Sequence, residues 1–139
     1  MIVLDTTILV YAVGEQHALA EPCRRLVEAI RNGRVTATTT VEVIQEFAHV
    51  RARRRDKQDA AGVARDFVEL LSPLLVVTQD VLTAGLRLFE RTALGSFDAV
   101  LAAAAIDARA SSLVSADGAF EGIRGLKWVD PRSAAFDEL

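Results

Sequence analysis

At 139 residues, 51% hydrophobic and 25% charged, the chain is long enough for one folded domain and too apolar to be disordered. A net charge of −3 excludes a globally basic nucleic-acid wrapper, so contact with nucleic acid must come from local arrangement. The single cysteine, Cys23, cannot pair within the chain, and no apolar run approaches the roughly 20 residues that cross a bilayer.

The longest such run is Ala99 to Ile106, and acids bound it on both sides. With no basic lead ahead of its apolar start, the chain is not expected to carry a secretory signal, and a cytoplasmic location is expected. Ile2-Val3-Leu4 reads as a buried strand that ends at Asp5-Thr6-Thr7, where a helix starts. Leu26, Val27 and Ile30 lie at helical spacing within Ala20 to Ile30, and Asn32-Gly33 supplies the stop. Cys23, inside this pattern, is expected to pack or face solvent rather than react. Val35 to Thr39 reads as a second strand. From Val41 the period changes to helical: Val41, Ile44 and Ala48, flanked by Val43, Phe47 and Val50, form an apolar side that runs towards Arg51-Ala52-Arg53-Arg54-Arg55.

Ala60 to Leu71 is a further helix, stopped by Ser72-Pro73. Leu74 to Val77 reads as a third strand, and Asp80 to Arg91 as a helix capped by Thr78. Asp98 to Ala110 is an alanine-rich helix opened by Ser96. Leu113 to Ser115 is a fourth strand, and Lys127-Trp128-Val129 a candidate fifth. No repeat or low-complexity tract interrupts this order, so residues 1–139 are taken as one domain. Short apolar strands alternating with longer helices predict a parallel sheet covered on both faces. Right-handed crossovers then bring successive strand ends to one edge, where open α/β sheets bind ligands.

Three acids fall at that edge: Asp5 closes the first strand, Asp98 sits in the first turn of the alanine-rich helix, and Asp117 follows the fourth strand. Each alone has an ordinary explanation, such as a helix start for Asp98 or a turn for Asp117-Gly118. Asp5 is harder to explain away, because an acid directly after a buried strand must be solvated or paired. Gathered carboxylates raise one another's pKa unless a cation intervenes, and hard oxygen donors suit Mg²⁺ or Mn²⁺. His17 and His49 stand apart and form no zinc set. The arginine run reads equally as a solvated helix end or as a phosphate-contacting patch.

In this order, MIVLDTTILV, TTTVEVIQEF, SFDAVLAAAA and LVSADGAF resemble the PIN domain, most closely the VapC toxins of bacterial toxin–antitoxin pairs. The resemblance spans nearly the whole chain. It implies a three-layer α/β/α PIN-like fold with a central parallel sheet of four to five strands. It assigns the family's acids to Asp5, Asp98 and Asp117, with a Glu in TTTVEVIQEF. That Glu is matched best by Glu46, with Glu42, one turn earlier, as the alternative. Thr7 stands where the family often has Asn or Ser, and its hydroxyl is available to Asp5 or to a water on the metal. Ser115 is a candidate to orient Asp117. Ala119 stands where many relatives carry a fifth acid, which implies weaker hold on a second metal.

The resemblance further implies metal-assisted hydrolysis of RNA with Mg²⁺ or Mn²⁺, leaving 5′-phosphate and 3′-hydroxyl ends, with the acids placing the ions. Arg51, Arg53, Arg54 and Arg55 are candidates for contact with RNA or an antitoxin. A cognate antitoxin and a homodimer are expected partners; Val10, Tyr11, Val13 and the helix containing Phe47 read equally as apolar surface for such contacts or as core. Two other readings stay open: a catalytically weak PIN-like binding or scaffold module, and a housekeeping PIN nuclease without an antitoxin. A haloacid-dehalogenase-like phosphatase would need an acid where Thr7 stands, and a receiver domain an acidic pair where Asp5-Thr6 stands.

Overall fold

A computed structural model describes residues 1–139. Four short strands, β1 (Ile2–Leu4), β2 (Ala37–Thr38), β3 (Ser112–Val114) and β4 (Trp128–Val129), form one sheet in the order β2-β1-β3-β4. Every pairing is parallel: Ile2 aligns with Ala37 on one side and Ser112 on the other, and Leu113 aligns with Trp128. The seven helices around it are α1 (Thr6–Val13), α2 (Ala20–Arg31), α3 (Val41–Ala52), α4 (Lys57–Leu71), α5 (Gln79–Arg91), α6 (Ser96–Asp107) and α7 (Ala134–Asp137). This is the expected α/β/α arrangement, with four of the five candidate strands formed.

The absent strand is the one expected at Leu74 to Val77. Only Leu75 reaches the sheet, by a single bridge to Thr40, with Leu75 N–H donating to Thr39 and Val41 N–H donating to Leu75. The ladder cannot lengthen because Thr40 already caps α3, its hydroxyl accepting from Val43 N–H at 3.3 Å. Val76, one residue on, is 72% exposed. The candidate strand at Lys127 to Val129 is real and forms the β4 edge.

Helix ends follow local chemistry. Asn32 and Gly33 close α2, with Gly33 at φ 71° and Arg34 N–H reaching back to Ala29. Three residues before the expected stop, α6 ends in the same way: Arg109 turns left-handed at φ 51°, and Ala110 N–H returns to Ala105. Asp56 caps α4 by accepting from Asp59 N–H at 2.7 Å, which starts that helix at Lys57 rather than Ala60.

One cluster of 28 buried residues forms the core, from Val3 and Leu4 of β1 through Phe47 of α3 to Leu113 and Val114 of β3. Phe47 packs edge-on against Phe67 of α4, ring centroids 5.1 Å apart. Cys23 is buried within it, and that burial pushes its thiol up to about 11, an inert packing group. On the other side α5 lies against α6, a close approach that depends on Gly85. A Cβ there would meet Val100 Cα and Cγ2 at 2.8 Å.

Candidate active site

All four strands point the same way, so Asp5, Thr39, Ser115 and Asp130 leave the sheet at one edge. The chain steps from β1 to β2 on one side, and β3 returns on the other. The crevice between β1 and β3 is therefore the switch point of the sheet.

Asp5 sits in that crevice, 4% exposed. It caps α1 from an extended backbone (φ −82°, ψ 159°), with Oδ1 accepting from Thr6 N–H at 2.7 Å. Its Oδ2 accepts from two hydroxyls, Thr7 Oγ1 at 2.8 Å and Ser115 Oγ at 2.7 Å. Both hydroxyls also accept from the turn after β3. Ala116 N–H donates to Thr7 at 3.3 Å and Asp117 N–H donates to Ser115 at 3.0 Å. One buried carboxylate oxygen thereby ties β1 to the turn that carries Asp117. All three donors to Asp5 are neutral, so its charge has no cation of the protein beside it.

Glu46 joins through a residue that sequence reasoning passed over. Thr6 Oγ1 donates to Glu46 Oε2 at 2.8 Å while Thr6 N–H donates to Asp5. The signal lies in Asp5-Thr6-Thr7, where two hydroxyls follow a buried acid: Thr7 turns back to Asp5 and Thr6 reaches Glu46. Glu42 lines the same cavity, but only Glu46 is tied to Asp5.

Asp98 occupies the first turn of α6, whose cap, Gly95, offers no side chain. Its carboxyl is pushed up to about 6, first by burial and then by the charges of Asp5, Asp117 and Glu46. Four acids from four separate segments thus share one electrostatic neighbourhood. Asp117 is exposed, and its Oδ1 caps a short 3-10 turn through Ala119 N–H at 2.9 Å. Its backbone is held from β4 and beyond: Trp128 Nε1 donates to Ser115 O at 2.9 Å, and Arg132 Nη2 to Ala116 O at 3.0 Å.

A cavity of about 430 Å³ opens beside Asp5, Glu42, Glu46 and Asp98, walled opposite by Leu82, Leu86 and Phe97. No lysine, arginine or histidine lines it. The donor set is all hard oxygen and short of positive charge, which fits a divalent cation such as Mg²⁺. No three acids converge closely enough to cage an ion by themselves. That spacing suits a metal that keeps several waters, with part of the acid set holding it through them.

The arginine run lies elsewhere, around a second cavity of about 290 Å³ bounded by Val10, Val13, Phe47 and Val50. Arg51 is structural: it pairs with Asp59 at 2.6 Å and donates to Val13 O at 3.3 Å. Arg55 pairs with Glu15 at 2.9 Å, whereas Arg53 and Arg54 are exposed without an acid partner. Of the residues near α1 and α3 that read equally as contact surface or core, Val10, Tyr11, Val13 and Phe47 pack into or against the core, while Val41 of α3 is exposed. Phe47 is 1% exposed, and Val10, Tyr11 and Val13 are half-buried against the core. The exposed large apolar side chains include Leu82, Leu86 and Phe89 on α5, with Val76 and Phe97, besides Met1, Val41 and Val68. His17 stacks on Tyr11 and accepts from Leu19 N–H, a packing role.

The model of the PIN domain matches residues 2–126. This chain belongs to the PIN-domain family. As a PIN domain it is 51% identical over 144 aligned positions to "Ribonuclease VapC7" of Mycobacterium tuberculosis, covering all of this chain and 97% of that protein. Its fold is shared with more distant solved structures. One is VapBC2 from Rickettsia felis bound to a promoter DNA fragment, at TM-score 0.72 and 21% identity, covering 94% of this chain and 98% of that one. Another is M. tuberculosis VapC20, a toxin cleaving the sarcin–ricin loop, at TM-score 0.73 and 18% identity, covering 85% and 91%. No helix of this PIN domain is long and apolar enough to cross a membrane.

Proposed function

We propose that this PIN domain is a divalent-metal-dependent endoribonuclease and the toxin of a toxin–antitoxin pair, residues 1–139 acting as one unit. The observation that carries the chemistry is geometric: Asp5, Glu46 and Asp98 line one cavity that no cation of the protein enters, and Ser115 ties Asp5 to the backbone of Asp117. Full-length identity of 51% to a VapC ribonuclease supports the choice of RNA and of a toxin role.

In this reading Asp5, Asp98 and Asp117, with Glu46, hold Mg²⁺ or Mn²⁺. A bound divalent ion supplies Lewis acidity, making water a nucleophile near neutral pH and offsetting charge on the phosphodiester. The protein's own part is positional. Thr7 and Ser115 fix the rotamer of Asp5, Thr6 holds Glu46 towards it, and Ser115 sets the backbone of Asp117. Arg53 and Arg54 are the cations of the basic run left for an RNA backbone or a partner. The stripe Leu82, Leu86 and Phe89 supports burial against an antitoxin or a second copy in a homodimer. The location consistent with an RNA substrate and a lone reduced cysteine is the cytoplasm.

The test is cleavage of RNA by purified protein with Mg²⁺ or Mn²⁺, with and without chelator, beside Asp5→Asn. Metal-dependent cleavage lost in the variant is expected. No cleavage would leave a PIN-like binding module, and metal-independent cleavage would reject the role given to the divalent ion. Growth arrest on expression in a bacterial host, absent for Asp5→Asn, separates a toxin from a housekeeping nuclease.

A further inference from the structure

The acid-lined cavity also has an apolar part, which offers RNA a contact that the carboxylates do not. One wall carries the carboxylates of Asp5, Glu46 and Asp98, and no cation stands near to attract phosphates. The protein itself supplies no cation here, since the arginine run borders a different cavity, so any attraction for the strand's phosphates rests on the bound metal. Besides the polar side chains of Thr40, Thr78, Gln79 and Ser96, the lining offers a nucleotide the apolar Leu82 and Leu86 of α5 and Phe97 of α6.

Phe97 is 76% exposed, the most exposed of the large hydrophobic side chains. Packing does not account for it, since α6 buries Ala99, Leu101, Ala102, Ala103, Ala104 and Ala105 instead. It precedes Asp98 in the first helical turn, and both side chains line the cavity. A base lying on Phe97 would place its neighbouring phosphate near the acids. An aromatic face stacks on any nucleobase provided the base is unpaired.

We propose that Phe97 is the stacking platform for one unpaired base of the RNA, beside the phosphate that is cut. The proposal rests on the RNA-cleavage reading above and assigns the contact that holds a base beside the acids. Phe97 positions substrate and takes no part in metal binding or bond breaking.

The experiment compares wild type, Phe97→Ala, Phe97→Leu and Phe97→Trp on a short unstructured RNA, with metal affinity by calorimetry and mass by sedimentation. Ala and Leu are expected to raise KM about 5- to 100-fold, the range of one lost base stack. They should leave kcat, Mg²⁺ affinity and thermal stability near wild type. Phe97→Trp should keep a low KM, because the indole restores the aromatic face. A KM for Phe97→Leu equal to wild type would overturn the proposal, since apolar contact alone would then suffice. So would a Phe97→Ala protein that changes oligomeric state while cleaving the RNA normally, which would make Phe97 a protein-docking anchor. Failure of wild type to cut any RNA with metal would instead overturn the nuclease reading, and this inference with it.

Discussion

Ser115 and Asp5 are 110 residues apart in the chain and share a buried hydrogen bond of 2.7 Å between Oγ and Oδ2. The same hydroxyl accepts from Asp117 N–H, so one side chain connects the most buried acid of the site to one of its most exposed. Ser115→Ala removes both bonds and leaves Asp5, still buried, with one hydroxyl donor fewer. Loss of about 1–3 kcal/mol of stability is expected, the cost of under-satisfying a buried polar group. Thermal unfolding checks that, and a parallel fall in Mg²⁺ affinity checks the link to Asp117.

Asp98 gives the metal-free protein a pH dependence of definite sign. Its carboxyl is raised from 3.8 to about 6, mainly by burial and then by Asp5, Asp117 and Glu46. Below about pH 4 folded and unfolded chains both hold the proton, and this group favours neither. Between about 4 and 6 the unfolded chain loses it first, so stability falls as pH rises, the full penalty being present above about 6. Melts in chelator across that window should show the decline, and Asp98→Asn should flatten it. Divalent metal should reverse it, because a bound cation favours the ionised carboxylates.

Glu46 and Glu42 line one cavity, but only Glu46 is held by Thr6. Glu46→Gln is expected to lower RNA cleavage at least about tenfold, and Glu42→Gln to stay within about threefold of wild type. Thr6→Val should reproduce part of the Glu46 defect. Initial rates at saturating metal decide the assignment, and equal losses from both Glu variants would reject it.

Gly85→Ala tests whether the groove wall depends on close helix approach. The added methyl would meet Val100 Cα at 2.8 Å, so backbone has to move. Overpacking of this kind costs about 1–3 kcal/mol, against a helix-propensity gain of up to about 1 kcal/mol. A lower melting temperature is expected, with a loss of RNA affinity as α5 and its leucines shift.

Arg51→Ala is expected to lower the melting temperature without changing how RNA binding depends on salt. Arg51 is engaged by Asp59 and Val13 and has no free charge to offer a phosphate. Arg53→Ala with Arg54→Ala should do the reverse if those side chains meet RNA: unchanged melting and a shallower salt slope.

The sequence by itself determined the strands β1 and β3, the helices between, and the placing of Asp5, Asp98 and Asp117 at strand or helix ends. Those features rest on local periodicity, caps and turn residues, which act within a few positions along the chain. Thr78 capping α5 and Asn32-Gly33 ending α2 are legible for the same reason. Tertiary structure alone decided the rest. Whether Leu74 to Val77 became a strand depended on Thr40 already turning into α3, which no property of that segment records. The tie from Thr6 to Glu46 spans 40 residues, and the tie from Ser115 to Asp5 spans 110. The arginine run reads as one patch along the chain, but Asp59, Val13 and Glu15 divide it into engaged and free side chains. Phe97 reads as another apolar residue of an alanine-rich helix, and only the packing of α5 on α6 left it facing open space beside the acids. Side-chain partners and exposure are set by what folds against a residue, and distance along the chain carries almost none of that information.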